Sequence, residues 1–282
     1  MSLVLNSPLV SVSWLSEHLA EPDLVVLDAS WFMPGAERDG EQEWKIKRIP
    51  GARYFDFDKK IAQPDSPWPH MLPSEILFAT EVAKLGISNS STIIVYDSQG
   101  VFSAPRVWWM FRAMGHSAVA VLDGGLPAWE AAGEAIETGE STLPSPGLFT
   151  AALQAKWVIG GDELQLRLAD HHTQIFDARP AARFYGLQPE PRAGVRSGHM
   201  PQAKSLPSSQ LLKDGYFLPV VQIKQRFDAL SDPQQQLIFS CGSGVTACIL
   251  ALAAELSGRD NLTVYDGSWT EWGSTYRYPV VS

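Results

Sequence analysis

Two α/β domains in tandem, each a mainly parallel sheet flanked by helices on both faces, are what this sequence predicts. Three observations carry that expectation. The first is an internal repeat: four anchors recur in the same order at an offset of about 143 to 151 positions. Leu24-Val25-Val26-Leu27-Asp28-Ala29 returns as Gln174-Ile175-Phe176-Asp177-Ala178, and Ile49-Pro50-Gly51-Ala52 returns as Met200-Pro201-Gln202-Ala203. Ile93-Ile94-Val95-Tyr96-Asp97 is echoed by Leu237-Ile238-Phe239-Ser240, and Asp123-Gly124-Gly125-Leu126-Pro127-Ala128-Trp129 by Asp266-Gly267-Ser268-Trp269-Thr270-Glu271-Trp272. The period is far too long for a solenoid, so this is a duplicated domain. Second, short continuous apolar runs alternate with helical stretches, the mark of parallel strands covered on both faces. Third, 282 residues exceed one ordinary core.

Taken in order, the first copy opens with a strand at 24–29. Residues 74–85 read as a helix, with Ser74 as N-cap, Glu75 in the first turn and Gly86 as the stop. A strand at 93–96, a helix at 104–114 and a strand at 119–122 follow, then a loop. Periodicity fails at 139–147, where Pro144 and Pro146 make a stiff, extended connection. The expected division is therefore a first domain at 1–138, a linker at 139–156 and a second domain at 157–282. In the second copy, 161–169, 221–230 and 245–256 read as helices, 174–178 and 237–239 as strands, and 263–265 as the closing strand.

Composition sets limits on function. The formal net charge is -9, and no basic run or basic–aromatic stripe occurs, which argues against a nucleic-acid partner. No apolar run is long enough to span a bilayer, and Met1-Ser2-Leu3-Val4-Leu5-Asn6 lacks the basic flank and apolar core of a signal peptide. Only Cys241 and Cys248 are present. Seven helical residues separate them by about 10 Å, beyond disulfide reach, and two thiols without a nearby histidine make a poor zinc site. No metal or cofactor is expected. Free thiols in a reducing cytoplasm fit best.

The second copy carries the chemistry. Leu237-Ile238-Phe239 ends abruptly in Ser240-Cys241-Gly242-Ser243-Gly244-Val245-Thr246, and 245–256 is apolar on nearly every face. That is buried strand, tight loop, buried helix. Two glycines let successive backbone N–H groups turn inward, so a thiolate at Cys241 would face a ring of donors at a helix N-terminus. The local pattern alone also fits a glycine-rich turn with a buried structural cysteine. The first copy has Tyr96-Asp97-Ser98-Gln99-Gly100 at the same place and no thiol.

On these residues the chain resembles the tandem-domain rhodanese family, over essentially its whole length. Further stretches that carry the resemblance are Pro69-His70-Met71-Leu72-Pro73, Ser103-Ala104-Pro105-Arg106-Val107-Trp108-Trp109-Met110 and Pro189-Glu190-Pro191-Arg192. The loop Cys241-Gly242-Ser243-Gly244-Val245-Thr246 is similar to the mercaptopyruvate-type loop, whereas the thiosulfate type carries basic residues after its cysteine. Thiosulfate is a compact dianion that loop cations would favour. A loop with backbone donors and one hydroxyl suits a carbonyl- and carboxylate-bearing thiol held by arginines from outside it.

The resemblance implies a two-step sulfur transfer. Cys241 attacks the sulfur of 3-mercaptopyruvate, a persulfide forms and pyruvate leaves; a small thiol, a thioredoxin-like protein or cyanide then accepts the sulfur. Gly242, Gly244, Val245 and Thr246 would hold the anionic sulfur through the loop backbone. Arg183 and Arg192 match the family's substrate arginines, with Arg179 a less certain neighbour; arginine suits bidentate capture of a carboxylate. The alternative for Arg183 is pairing with a structural carboxylate. Ser243, His70 and Asp58 correspond to a set that would protonate the leaving enolate, assembled from both copies. Asp58 competes with Asp56 for that place. Cys248, His199 and the His171-His172 pair read as structural.

Two departures from the family pattern stand out. Gln202 takes the place of a usual glycine, which implies an altered turn, and Lys47-Arg48 precede Ile49-Pro50 where Gly-His is usual. Three other functions compete. One is thiosulfate:cyanide sulfur transfer and one a non-enzymatic sulfur-carrier or regulatory module. The third, a cysteine phosphatase, lacks its arginine, because the sixth position after Cys241 is Ala247.

Overall fold

The computed structural model describes residues 3–142 and 144–282. Met1 and Ser2 of the N-terminus, and Leu143 of the expected linker, lie outside the described residues. The chain divides into two compact units. The first comprises Met1–Pro64, Leu72–Gln154 and Asp214–Phe217; the second comprises Asp65–Met71, Ala155–Lys213 and Leu218–Ser282.

In the first unit the order is β1 (Leu9–Val10), α1 (Val12–His18), β2 (Leu24–Asp28), α2 (Gly40–Ile46), β3 (Arg53–Tyr54), α3 (Glu75–Lys84), β4 (Thr92–Tyr96), α4 (Ala104–Ala113), β5 (Val119–Leu122) and α5 (Gly125–Ala131). The strands lie β1-β5-β4-β2-β3, and every pairing is parallel. In the second unit β6 (Val158–Ile159), α6 (Gly161–Arg167), β7 (Thr173–Asp177), α7 (Ala181–Phe184) and β8 (Lys204–Ser205) come first. The short strands β9 (Leu212–Lys213) and β10 (Tyr216–Phe217) come next in the chain, the second of them counted with the first unit. Then follow α8 (Val220–Leu230), β11 (Gln236–Ser240), α9 (Ala247–Leu256), β12 (Leu262–Tyr265) and α10 (Ser268–Ser274). The second sheet runs β6-β12-β11-β7-β8, again all parallel, so the repeat read from four anchors is a repeat of topology.

Local chemistry explains most of the elements. All five residues of β2 and of β4 are buried, which is why these strands read as continuous apolar runs and not as alternation. Ser74 Oγ accepts the Leu77 N–H at 3.3 Å and Gly86 sits at φ +69°, so α3 starts and stops where its caps predict. Along α9, every residue from Ala247 to Ala254 is buried. That helix begins two residues later than its apolar run, because Val245 and Thr246 form a tight entry turn whose carbonyls accept from Cys248 and Ile249 at 3.1 Å each. The segments after β5 and β12, read as loops, close into α5 and α10. Leu126 and Trp129, like Trp269 and Trp272, are three residues apart, and each pair buries one helix face.

Two expectations change. Gln202 does not alter its turn: it adopts φ +63°, close to the φ +73° of Gly51 at the corresponding place. The backbone there follows the repeat, and the side chain accepts a left-handed conformation that costs roughly 1 kcal/mol. The stretch expected to link the domains is packed against the first unit. Gly147 N–H donates to Ala83 O at 2.8 Å, Thr150 N–H to Asn89 Oδ1 at 2.7 Å, and Phe149 is buried edge-on to Phe78 and Phe111. Its prolines make it extended; its phenylalanine holds it down.

A buried acid in the first unit gives the fold a pH dependence. Asp28 is 1% exposed at the end of β2, and its Oδ1 accepts the Ser30 N–H at 2.8 Å. Burial pushes its carboxyl up to about 6; bonds from Ser30 and Tyr96 work against that and the neighbouring Asp97 works with it. The folded value lies above the unfolded one, so the folded state keeps the proton longer and stability falls as pH rises from about 4 to about 6. Asp28→Asn removes that slope. In thermal melts between pH 4 and pH 7, the variant should gain on the parent protein as pH rises, by about 3 kcal/mol at the upper end.

Candidate active site

In the second unit, β7 and β11 are neighbours whose onward connections run to opposite sides of the sheet, β7 toward β8 and β11 toward β12. The crevice beyond the carboxyl ends of two such strands is where parallel sheets hold ligands. Cys241 follows β11 directly. Arg179 and Arg183 follow β7. The sheet topology therefore delivers the thiol and the two arginines to one place.

The cysteine loop is pinned from below by α10. Trp269 N–H donates to Cys241 O at 2.9 Å, and Thr270 donates to Gly242 O through its N–H at 2.8 Å and its hydroxyl at 2.6 Å. Both carbonyls at the mouth of the loop are thereby turned onto the helix. Ser268, at φ +50°, accepts the Cys241 N–H on Oγ at 3.1 Å, donates to Tyr265 O at 2.9 Å, and stands 4.0 Å from Cys241 Sγ. Gly244 takes φ +78°, the left-handed conformation that only a glycine adopts freely. Cys241 is 2% exposed and Ser243 is buried beside it in sequence. Cys248, the second residue of α9, is buried and donates its S–H to Gly244 O at 3.3 Å, a packing role.

The first unit shows what such a loop is shaped to hold. Asp97 stands where the second copy has Cys241, and Gly100, at φ +103°, stands where it has Gly244. The Asp97 carboxylate accepts the N–H groups of Gln99, Phe102, Ser103 and Ala104 at 2.8–2.9 Å. Burial pushes its carboxyl up against those four donors, which favour the charged form. The loop is an anion cradle filled by its own side chain.

Beside the cysteine loop, alternating charges run outward from β7. Arg179 is 1% exposed; its Nε and Nη2 donate to Asp177 at 2.6–3.0 Å, its Nη2 also to Gly198 O at 2.9 Å, and its Nη1 to Glu190 Oε1 at 2.7 Å. Its guanidinium carbon lies 4.3 Å from the Trp269 ring centroid. Arg183 donates through Nε to Glu190 Oε1 at 3.3 Å and through Nη2 to Glu190 Oε2. Arg183 thus does pair with a carboxylate, and it does so next to the loop: a Cβ at Gly242 would stand 3.4 Å from Arg183 Nη2. Arg192 Nη1 donates to Thr270 Oγ1 at 3.4 Å, joining it to the hydroxyl that holds Gly242 O.

The remaining expected residues belong to both units. His70 is buried at φ +62° in Asp65–Met71, which belongs to the second unit together with Ser243. Asp58 belongs to the first unit, half-buried, with its N–H on Asp56 Oδ1 at 3.2 Å. His199 stacks on Phe184 with centroids 3.9 Å apart and bonds Phe184 O through Nδ1 at 3.0 Å, a structural role. Among the described residues, no group of three His, Cys, Asp or Glu side chains is disposed to hold a metal ion.

Three residues escaped the sequence reading: Ser268, Thr270 and Glu190. Signals for them were present. Ser268 replaces Gly125 within a repeated motif, Thr270 replaces Pro127 in the same motif, and Glu190 lies between two prolines just before Arg192.

The chain matches the family model of the rhodanese-like domain twice, over residues 11–132 and 161–275. It belongs to the rhodanese family, as two such domains in tandem. Among similar proteins, thiosulfate/3-mercaptopyruvate sulfurtransferase 1, mitochondrial, of Arabidopsis thaliana is 42% identical over 100% of this chain and 80% of its own length. The 3-mercaptopyruvate sulfurtransferase of Rattus norvegicus is 41% identical over 94% of this chain and 91% of its own. The crystal structure of SseA from Escherichia coli, described as a 3-mercaptopyruvate sulfotransferase with the rhodanese fold, superposes with a TM-score of 0.85 at 36% identity. That match covers 94% of this chain and 99% of the other.

The Thr270 hydroxyl ties both the loop and Arg192 to α10. Thr270→Val keeps the shape and removes the hydroxyl. It should cost about 1 kcal/mol or more in urea unfolding and should raise the alkylation rate of Cys241, read by mass spectrometry, while Cys248 stays unlabelled.

Proposed function

We propose that this chain is a sulfurtransferase that takes sulfur from 3-mercaptopyruvate onto Cys241 and passes it to a thiol or to cyanide. The observation that carries this reading is the pairing of a cysteine loop without side-chain cations with Arg183, fixed beside Gly242. A compact inorganic dianion would call for positive charge inside the loop. A keto acid needs its carboxylate held to one side while its sulfur meets the thiolate.

In the first half-reaction, Cys241 Sγ forms a bond to the donor sulfur. The carbon–sulfur bond breaks, and its electron pair leaves on the enolate of pyruvate. The enolate takes up a proton at carbon, and the outer sulfur of the persulfide gives one up. Support for a loop that receives this anionic sulfur comes from the Asp97 cradle in the first unit. In the repeat, Ser243, Thr246 and Ala247 correspond to Gln99, Phe102 and Ser103, whose N–H groups hold a carboxylate. Gly242, Gly244 and Val245 shape that backbone. Arg192, bonded to Thr270, and Arg183 are the groups for the donor carboxylate and keto oxygen. Ser243 and His70 are the proposed proton carriers; Asp58 joins them on the resemblance alone.

In the second half-reaction an acceptor thiolate, on a small molecule or a thioredoxin-like protein, or cyanide attacks the outer sulfur and regenerates Cys241. Among the described residues, no helix is long and apolar enough to cross a membrane. A reducing compartment such as the cytoplasm keeps both thiols free.

Incubation with 3-mercaptopyruvate should add one sulfur atom to the peptide bearing Cys241, and Cys241→Ser should abolish turnover. Arg192→Ala should raise KM for 3-mercaptopyruvate by about tenfold or more. Absence of the adduct would favour a non-enzymatic sulfur-binding module. A specificity constant greater for thiosulfate than for 3-mercaptopyruvate would make thiosulfate the donor and overturn the reading.

A further inference from the structure

Resting on that reading of the site, we infer that Glu190 is a positioning residue: its carboxylate sets the orientation in which Arg183 meets the donor. Pro189 and Pro191 fix φ on either side of it, so the carboxylate is carried on a stiff piece of chain. Its side chain is 4% exposed. Oε1 is fixed by Arg179, which Asp177, Gly198 O and the Trp269 ring already immobilise. From that anchored point, Glu190 takes both Nε and Nη2 of Arg183. One edge of the guanidinium is thereby consumed. The edge made by Nη1 and the second hydrogen of Nη2 is left for a bidentate carboxylate, and Nη2 is the atom next to Gly242.

The arrangement also balances charge. Asp177 and Glu190 match Arg179 and Arg183, so the four buried or half-buried groups add no net charge beside the thiolate. Arg183 then acts through the geometry of its free edge and not through long-range attraction. Without Glu190 the cation would remain, but it would be free to swing. A displacement of about 1 Å at a positioning group costs on the order of 100-fold in rate.

The test separates this role from a general loosening of the loop. Glu190→Gln should lower kcat/KM for 3-mercaptopyruvate by about 10- to 100-fold, with Glu190→Asp also impaired because its reach is one methylene shorter. Cyanide carries no carboxylate, so discharge of a fully loaded Cys241 persulfide to thiocyanate should keep the parent rate. In an Arg183→Ala background, Glu190→Gln should cause no further loss. Slowing of both half-reactions, or losses that multiply in the double variant, would overturn the inference. If Glu190→Gln does not fold, as judged by circular dichroism, Glu190→Asp carries the same three comparisons. Failure of the parent protein to form a persulfide would sink the sulfur-transfer reading itself, an outcome distinct from these.

Discussion

Each unit depends on one constraint: a strand buried along its length runs straight into a helix buried on nearly all sides, with a loop of a few residues between them. Backbone N–H groups in such a turn have no water to meet, and they must be satisfied from within. A loop coiled around an anion is one solution. The first unit adopts it with its own Asp97, whose carboxylate takes four N–H groups. The cost is a carboxylate buried beside Asp28, and the raised values of both acids report it. Replacing that aspartate with cysteine leaves the same turn with a shorter, softer side chain at its centre. In the proposed reaction a thiolate or persulfide would take the place that the Asp97 carboxylate fills in the first unit.

The arginines obey a related rule. Burying Arg179 would be prohibitive without partners, and two carboxylates, a carbonyl and an aromatic face surround it. That investment fixes Glu190, and Glu190 fixes Arg183. The buried Arg179 and the half-buried Arg183 beside the cysteine loop are thus members of one ion-pair network. Of the two readings of Arg183 open at the level of sequence, partner of a structural carboxylate is what the Glu190 pairing shows, and the proposed substrate role uses the other edge of the same guanidinium.

The repeat, the parallel sheets and the place of Cys241 at the end of a buried strand were all legible in the sequence, because apolar runs and glycine-rich turns are local signals. So was the structural role of Cys248, from its position within the helical run. What escaped was contact between elements distant in the chain. Nothing near Glu190 shows that it joins Arg179 to Arg183, and nothing near Ser268 shows that its hydroxyl receives the Cys241 N–H, 27 residues away. The linker was read from its prolines as a connection, yet Phe149 packs it into the first unit; a single aromatic outweighed the composition around it. Gln202 misled in the opposite direction, since a missing glycine implied a changed turn and the backbone kept it.

The divergence between the copies is concerted, and Ser268 is where that can be followed atom by atom. Its counterpart Gly125 has nearly the same backbone, φ +54° against +50°, and Leu126 N–H reaches Asp97 O as Trp269 N–H reaches Cys241 O. A Cβ on Gly125 would lie 2.3 Å from Asp97 O and 2.4 Å from Gly100 O, so the first unit admits glycine alone. The second unit accepts a serine in the same left-handed conformation, at roughly 1 kcal/mol of strain, and its Oγ takes the Cys241 N–H. Asp97 with Gly125, and Cys241 with Ser268, are therefore two self-consistent solutions for one turn. In the first, the side chain at the head of the loop supplies the anion and the glycine lets the chains close tightly. In the second, the loop stands away far enough to admit a hydroxyl, and its centre is given to a reactive sulfur. Changing the cysteine position alone would leave the neighbouring glycine or serine fitted to the wrong loop.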